Sequence, residues 1–92
     1  MSVYVDHSRP CLRNPDWPYD TCCHMWADTE EELHELARRI GLKRRWFQKE
    51  PDRLPHYDLT ASMRVEALEA GATSANWYDF KRAVKQAREE GL

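Results

Sequence analysis

Apolar residues recur along this chain with two spacings, and the spacing divides it into strands and helices. Residues 2–5 are β-branched and aromatic and predict a strand. Residues 22–27, CCHMWA, are a short apolar run that fits a buried strand. Between them, residues 6–21 hold three prolines, an asparagine and three aspartates, which predicts a long loop with no regular element. Loops of that length in small domains are usually functional or disordered. Trp17 and Tyr19 favour a packed one.

The spacing then changes to that of a helix. Leu33, Leu36, Ala37 and Ile40 fall on one face. Thr29 and Glu32 match a capping box, and Glu30 to Glu32 suit the positive end of the helix dipole. Arg38 and Arg39 sit in the last turn, and Gly41 is placed to end it. Residues 42–48, LKRRWFQ, predict a third strand with aromatic packing at Trp46 and Phe47. A second loop is expected over 49–59. Thr60 is placed to cap a helix over 61–70, with Met63, Ala67 and Leu68 inward and Gly71 as its stop. A short strand over 72–75 and a last helix over 77–90 follow, with Trp77, Phe80, Val84 and Ala87 on one face and Asn76 as cap.

Strands that alternate with helices predict an α/β fold, a single domain with a small, mainly parallel sheet and flanking helices. Residues 1–75 form its body, and 76–92 a C-terminal helical extension packed on it. In such sheets ligands bind beyond the carboxyl ends of the strands. Asp6, Asp28 and Gln48 follow strand ends, and His56 and Asp58 lie just before a helix N-terminus. Parallel strands bring Asp6, Asp28, His56 and Asp58 to one edge, within reach of Arg64. Carboxylates so gathered suit Mg²⁺ or Mn²⁺, which activate water and stabilise phosphoryl transfer. His56 then serves as ligand or acid–base, and Arg64 as phosphate partner. Each residue also has a plainer reading. Asp28 belongs to a helix cap, Asp58 to a turn, His24 to the core, and His34 to a solvated helix face.

Composition narrows the field. The chain has 92 residues, with 41% hydrophobic, 33% charged and a net charge of −2. That is globular, and too balanced for the broad basic surface of non-specific DNA binding. No apolar run is long enough for a membrane span. MSVYVDHSRP lacks the basic and apolar regions of a signal peptide, so a cytoplasmic protein is expected. Three cysteines, an odd number, argue against a disulfide framework. Cys11, Cys22, Cys23 and His24 have the wrong spacing for a zinc knuckle.

Val3-Tyr4-Val5-Asp6, Cys23-His24-Met25 with Ala27-Asp28-Thr29, Trp46-Phe47-Gln48, His56-Tyr57-Asp58, Arg64 and Gly71-Ala72 come in a distinctive order. In these motifs, spanning 3–72, the chain resembles a family of small domains of unknown function from phages and actinobacteria. The resemblance implies a phage-type cytoplasmic protein, in host cytoplasm if phage-encoded, and supplies no activity. It places Asp6, His24, Asp28, His56, Asp58 and Arg64 within the family's motifs, which raises His24 as a site candidate.

Three functions stay open. The first is a binding or accessory module with a polar pocket at the strand edge, taking a host protein, nucleotide or nucleic acid. The aromatic loop and Lys43-Arg44-Arg45 support it. The second is a metal-dependent, nuclease-like phosphoryl-processing enzyme using the Asp/His cluster. The third is nucleic-acid binding by Lys81, Arg82, Lys85 and Arg88 of the last helix, which also offers a homodimer surface at Trp77, Tyr78 and Phe80. Small size favours the first, because little chain is left to enclose chemistry once the core is built.

Overall fold

The fold is organised by β3 (Thr21–Ala27), which pairs with three other strands. It is described from a computed structural model covering residues 2–49 and 54–89, without the side chains of Trp77, Ala87 and Arg88. β1 (Val3–Val5) and β2 (Arg9–Pro10) run antiparallel to β3. β4 (Tyr57–Leu59) is also antiparallel to β3. Among the described residues, only β5 (Thr73–Ser74) lies parallel to its neighbour, β1. The sheet is therefore mixed, not mainly parallel.

The correction has a local cause. Residues 6–21 are not a free loop but contain β2 and the tip of a long β-ribbon, in which Asn14 and Trp17 form a bridge. Pro10 fits there because β2 is a short stretch, where one missing N–H is tolerated. The expected strand over 42–48 is instead a 3₁₀ turn at Arg44–Trp46, followed by a single Gln48–His56 bridge. Trp46 stays 46% exposed, while Phe47 packs on the core. β4 occupies the end of the second expected loop, of which residues 50–53 lie outside the described residues.

The helices follow the sequence closely. In α1 (Glu30–Arg39) the Thr29 hydroxyl accepts from the Glu32 N–H at 3.2 Å. α2 (Ala61–Glu69) is capped by Thr60 in the same way. Both end in a Schellman turn: the Leu42 N–H donates to Ala37 and the Ala72 N–H to Ala67, each at 2.9 Å. Gly41 and Gly71 hold the positive φ that these turns need, +83° and +111°. α3 (Trp77–Glu89) begins with reciprocal bonds between Asn76 and Asp79.

Strand alternation gives the sheet two unlike faces. Val5, Cys23, Met25, Tyr57 and Leu59 point to one face and are buried with Leu33, Leu36 and Ala37 of α1 and Ala67 of α2. Tyr4, Cys22, His24, Trp26 and Asp58 point to the other. There Phe80 of α3 stacks on His24 and meets Trp26 edge-on. Cys22 and Cys23 thus face opposite ways, so a zinc site using both with Cys11 and His24 cannot form. No helix among the described residues is long and apolar enough to cross a membrane.

A Cβ at Gly41 would meet nothing within 4 Å, so Gly41→Ala tests backbone conformation alone. It should cost about 1–2 kcal/mol in urea unfolding, and Thr29→Ala about 1 kcal/mol.

Candidate functional site

A register shift builds the polar face. Val5 pairs with Met25, yet Arg9 pairs with Cys22. Residues 6, 7 and 8 therefore oppose only 23 and 24, which is a β-bulge of one extra residue. Strict alternation would send Asp6 and Arg9 to opposite faces. The bulge turns Arg9 back, and both side chains meet His24.

Asp6 is the anchor. Its side chain is 1% exposed. One carboxylate oxygen accepts from the His24 backbone N–H at 2.5 Å, and the other lies 2.7 Å from His24 Nδ1. Arg9 Nη1 stands 3.5 Å from that second oxygen, while Arg9 Nη2 is 3.3 Å from His24 Nε2. Burial by itself would raise the Asp6 pKa. The His24 side-chain and backbone hydrogen bonds, with the charges of His24 and Arg9, more than offset it and hold the carboxyl below its ordinary value.

Across the sheet, Asp58 is the register partner of His24. Gln48 Nε2 donates to Asp58 Oδ2, and His56 Nε2 is 3.6 Å from Asp58 Oδ1. His56 is buried, and its Nδ1 donates to the Leu54 carbonyl at 2.7 Å. The His24 and His56 rings meet edge to face at 5.5 Å. Phe80 closes over them, its ring nearly parallel to His24 at 4.1 Å. Donor atoms of His24, His56 and Asp58 lie within 4.8 Å of one another.

Of the six residues expected at the site, Asp6, His24, His56 and Asp58 converge. Arg64 is adjacent but occupied: its Nε donates to the Asp6 carbonyl at 2.7 Å and Nη2 to the Ser74 hydroxyl at 3.0 Å, tying α2 to the ends of β1 and β5. Asp28 is elsewhere. Because β1 and β3 are antiparallel, the end of β3 lies at the start of β1. There Asp28 accepts from the Ser2 N–H and the Tyr4 hydroxyl, each at 3.0 Å. Thr29, not Asp28, caps α1.

The sequence did not point to Arg9 or to Phe80 as the cover. Arg9 was hidden because its direction depends on the bulge. His34 was expected in solvent, but its Nδ1 is 2.9 Å from the Tyr57 hydroxyl and its Nε2 is buried with no hydrogen-bond partner among the described residues. Burial, reinforced by Arg44, lowers its pKa. The basic residues expected to bind nucleic acid are partly engaged: Arg82 pairs with Asp79, Arg44 lies over Phe47, and Lys43 over Trp46. The Arg88 and Trp77 side chains lie outside the described residues. A cleft of about 530 Å³ separates Tyr4, Trp26 and Asp28 from Asp79, Arg82 and Gln86 of α3. It runs beside the histidines, which do not line it.

A family model described as a protein of unknown function (DUF4031) matches residues 3–87. The chain belongs to the DUF4031 family. The match carries the similarity past residue 72 through most of α3, so this DUF4031 domain includes the helix that bears Phe80. No curated protein and no solved structure matches the chain.

His34 and Asp6, buried or partly buried groups whose pKa is lowered, contribute to the acid response of this DUF4031 domain. His34 has a lowered folded pKa, so the unfolded chain takes up its proton first. Stability should fall as pH drops below about 6.5. Asp6 adds a second loss as pH falls below about 4, through its own lower folded pKa. Urea midpoints across pH should show both branches. His34→Leu should flatten the upper one and Asp6→Asn the lower.

Proposed function

We propose that this protein binds a divalent transition-metal ion through His24, His56 and Asp58. The observation that carries the reading is how the two imidazoles are held. In each, Nδ1 faces an oxygen that only accepts: the Asp6 carboxylate for His24 and the Leu54 carbonyl for His56. The neutral rings must therefore carry their proton on Nδ1 and a lone pair on Nε2. Metal-binding histidines are oriented in this way, by a carboxylate or carbonyl behind the ring. Gln48 similarly orients Asp58.

The donor set discriminates between ions. Two imidazoles and a carboxylate suit Zn²⁺, Fe²⁺, Co²⁺ or Mn²⁺. Mg²⁺ prefers oxygen ligands, and the carboxylates expected to supply them are dispersed or engaged: Asp28 lies at the far end of β3 and Asp6 is held by His24. Ligand bonds are about 2.0–2.2 Å long, so the donors must draw together from their present spread. Three protein ligands leave positions for water or substrate, the arrangement of reactive rather than structural centres.

Arg9 supplies the rest of the reading. Metal at His24 Nε2 requires the guanidinium, 3.3 Å away, to swing aside. Arg9 is 39% exposed, so its guanidinium is already partly in water. It then stands beside the open positions as a partner for an anionic ligand of phosphate or carboxylate type. Capture of such an anion fits a binding module, and activation of a bound water fits hydrolysis of a phosphate ester. Metal binding is common to both.

Calorimetry with Zn²⁺ and Co²⁺ on metal-stripped protein tests the shared step. Binding should be one ion per chain, with visible absorption of the Co²⁺ form showing a tetrahedral or five-coordinate site. His56→Ala and Asp58→Ala should each weaken it at least about tenfold, and Asp6→Asn by about 10–100-fold. Asp28→Asn should leave it unchanged. Undiminished affinity in His56→Ala with circular dichroism intact would sink the proposal.

A further inference from the structure

The 3₁₀ turn after α1 gathers cations around an exposed aromatic ring. The Trp46 N–H donates to the Lys43 carbonyl at 2.9 Å, and the Phe47 N–H to the Arg44 carbonyl at 3.1 Å. Bonds of that span wind three residues per turn, so side chains three apart fall in line. Lys43 therefore lies over the Trp46 ring, its Nζ 5.6 Å from the centroid, and Arg44 lies over Phe47 at 4.9 Å. The strand expected over 42–48 would have sent the members of each pair to opposite faces. Phe47 packs on the core, while Trp46 keeps nearly half its surface in water.

The charge of this turn is uncompensated. Arg9, Arg13, Arg38, Lys49 and Arg82 each pair with a carboxylate. Among the described residues, no carboxylate pairs with Lys43, Arg44 or Arg45, although the whole chain has a net charge of −2. Glu30 of α1 is taken by Lys49. A cation over a ring keeps its charge and its N–H donors for an anion.

We propose that the turn Lys43–Trp46 is a docking surface for single-stranded nucleic acid, with a base stacked on Trp46 and backbone phosphates held by Lys43, Arg44 and Arg45. Aromatic rings interleaved with cations are how single strands are bound without regard to sequence. A duplex keeps its base faces stacked on one another and offers this turn phosphates alone. A membrane surface needs a broad apolar face, and here one ring is exposed while Phe47 is turned inward. Trp46 lies two residues before Gln48, which holds Asp58, so their Cα atoms are at most about 7 Å apart. A strand seated on Trp46 thus runs at the margin of the His24, His56 and Asp58 set. The two surfaces share no residue, so strand binding and metal binding fail separately.

Fluorescence anisotropy of a labelled oligothymidylate, with a chelator present, tests this surface alone. Binding should weaken with salt at a log–log slope of about −2, for three phosphate contacts on a single strand. Trp46→Ala should weaken it at least about fivefold, and Trp46→Phe should keep most of the affinity. Arg45→Ala should weaken it and make the slope shallower by about 0.7. Lys85→Ala on α3 should leave it unchanged, and duplex DNA should compete poorly. Circular dichroism checks that each variant keeps the wild-type fold. The proposal is overturned by undiminished binding in folded Trp46→Ala, or by a loss in Lys85→Ala equal to that in Arg45→Ala. Binding to anionic lipid vesicles with none to the oligonucleotide would overturn it as well.

Discussion

The contact between Asp6 and His24 is the constraint on which the polar half of this domain depends. A carboxylate that is 1% exposed is costly to hold ionised unless its oxygens are met by donors. Here the His24 N–H and Nδ1 meet one oxygen each, and Arg9 supplies a countercharge. Those partners are available only because the strand bulges between Val5 and Arg9. Remove the extra residue, and either Arg9 turns to the apolar face or the pairing of β2 with β3 slips. The bulge, the buried charge and the orientation of His24 are thus one device.

That device divides the labour between the two faces of a small sheet. The apolar face does the ordinary work of stability. Met25, Tyr57, Leu59 and Val5 pack under α1 and α2, whose ends are fixed by threonine caps and Schellman turns. The polar face has no such core. Its cover comes largely from one aromatic ring, Phe80, which lies on His24 and touches Trp26 and His56. α3 therefore contributes to the imidazole pair as well as to the packing, in keeping with a family match that reaches residue 87.

How much of this the sequence revealed follows from the range of each interaction. Helices were readable because their signals are local: Thr29 with Glu32, Thr60, Asn76, and the glycines at 41 and 71 all act within one turn. Strand direction is not local. Nothing within Ser-Val-Tyr-Val or CCHMWA states that the two run antiparallel, and that one unknown moved Asp28 to the far end of the sheet. Asp6, His56 and Asp58 still converged, since β4 pairs with β3 and sets Asp58 opposite His24. His24 was weighed as a core residue because it sits in an apolar run. Its alternation with Met25 in fact marked the change of face. Arg9 depended on the bulge, which no short-range pattern announces.

The electrostatics of the metal reading are consistent with the arrangement of Arg9. The Asp6 carboxylate keeps its two His24 bonds whether or not the guanidinium stays, since neither involves Arg9. A divalent cation on His24 Nε2 replaces the positive charge that Arg9 brings to the same nitrogen, and exceeds it. Arg9 is the most exposed member of the Asp6–His24–Arg9 group, so returning it to water costs less than it would for either partner. The exchange leaves the buried carboxylate compensated and both Nδ1 anchors unchanged. Under the proposed metal binding, the arginine would hold the imidazole in its Nδ1-protonated tautomer and give way to the ion.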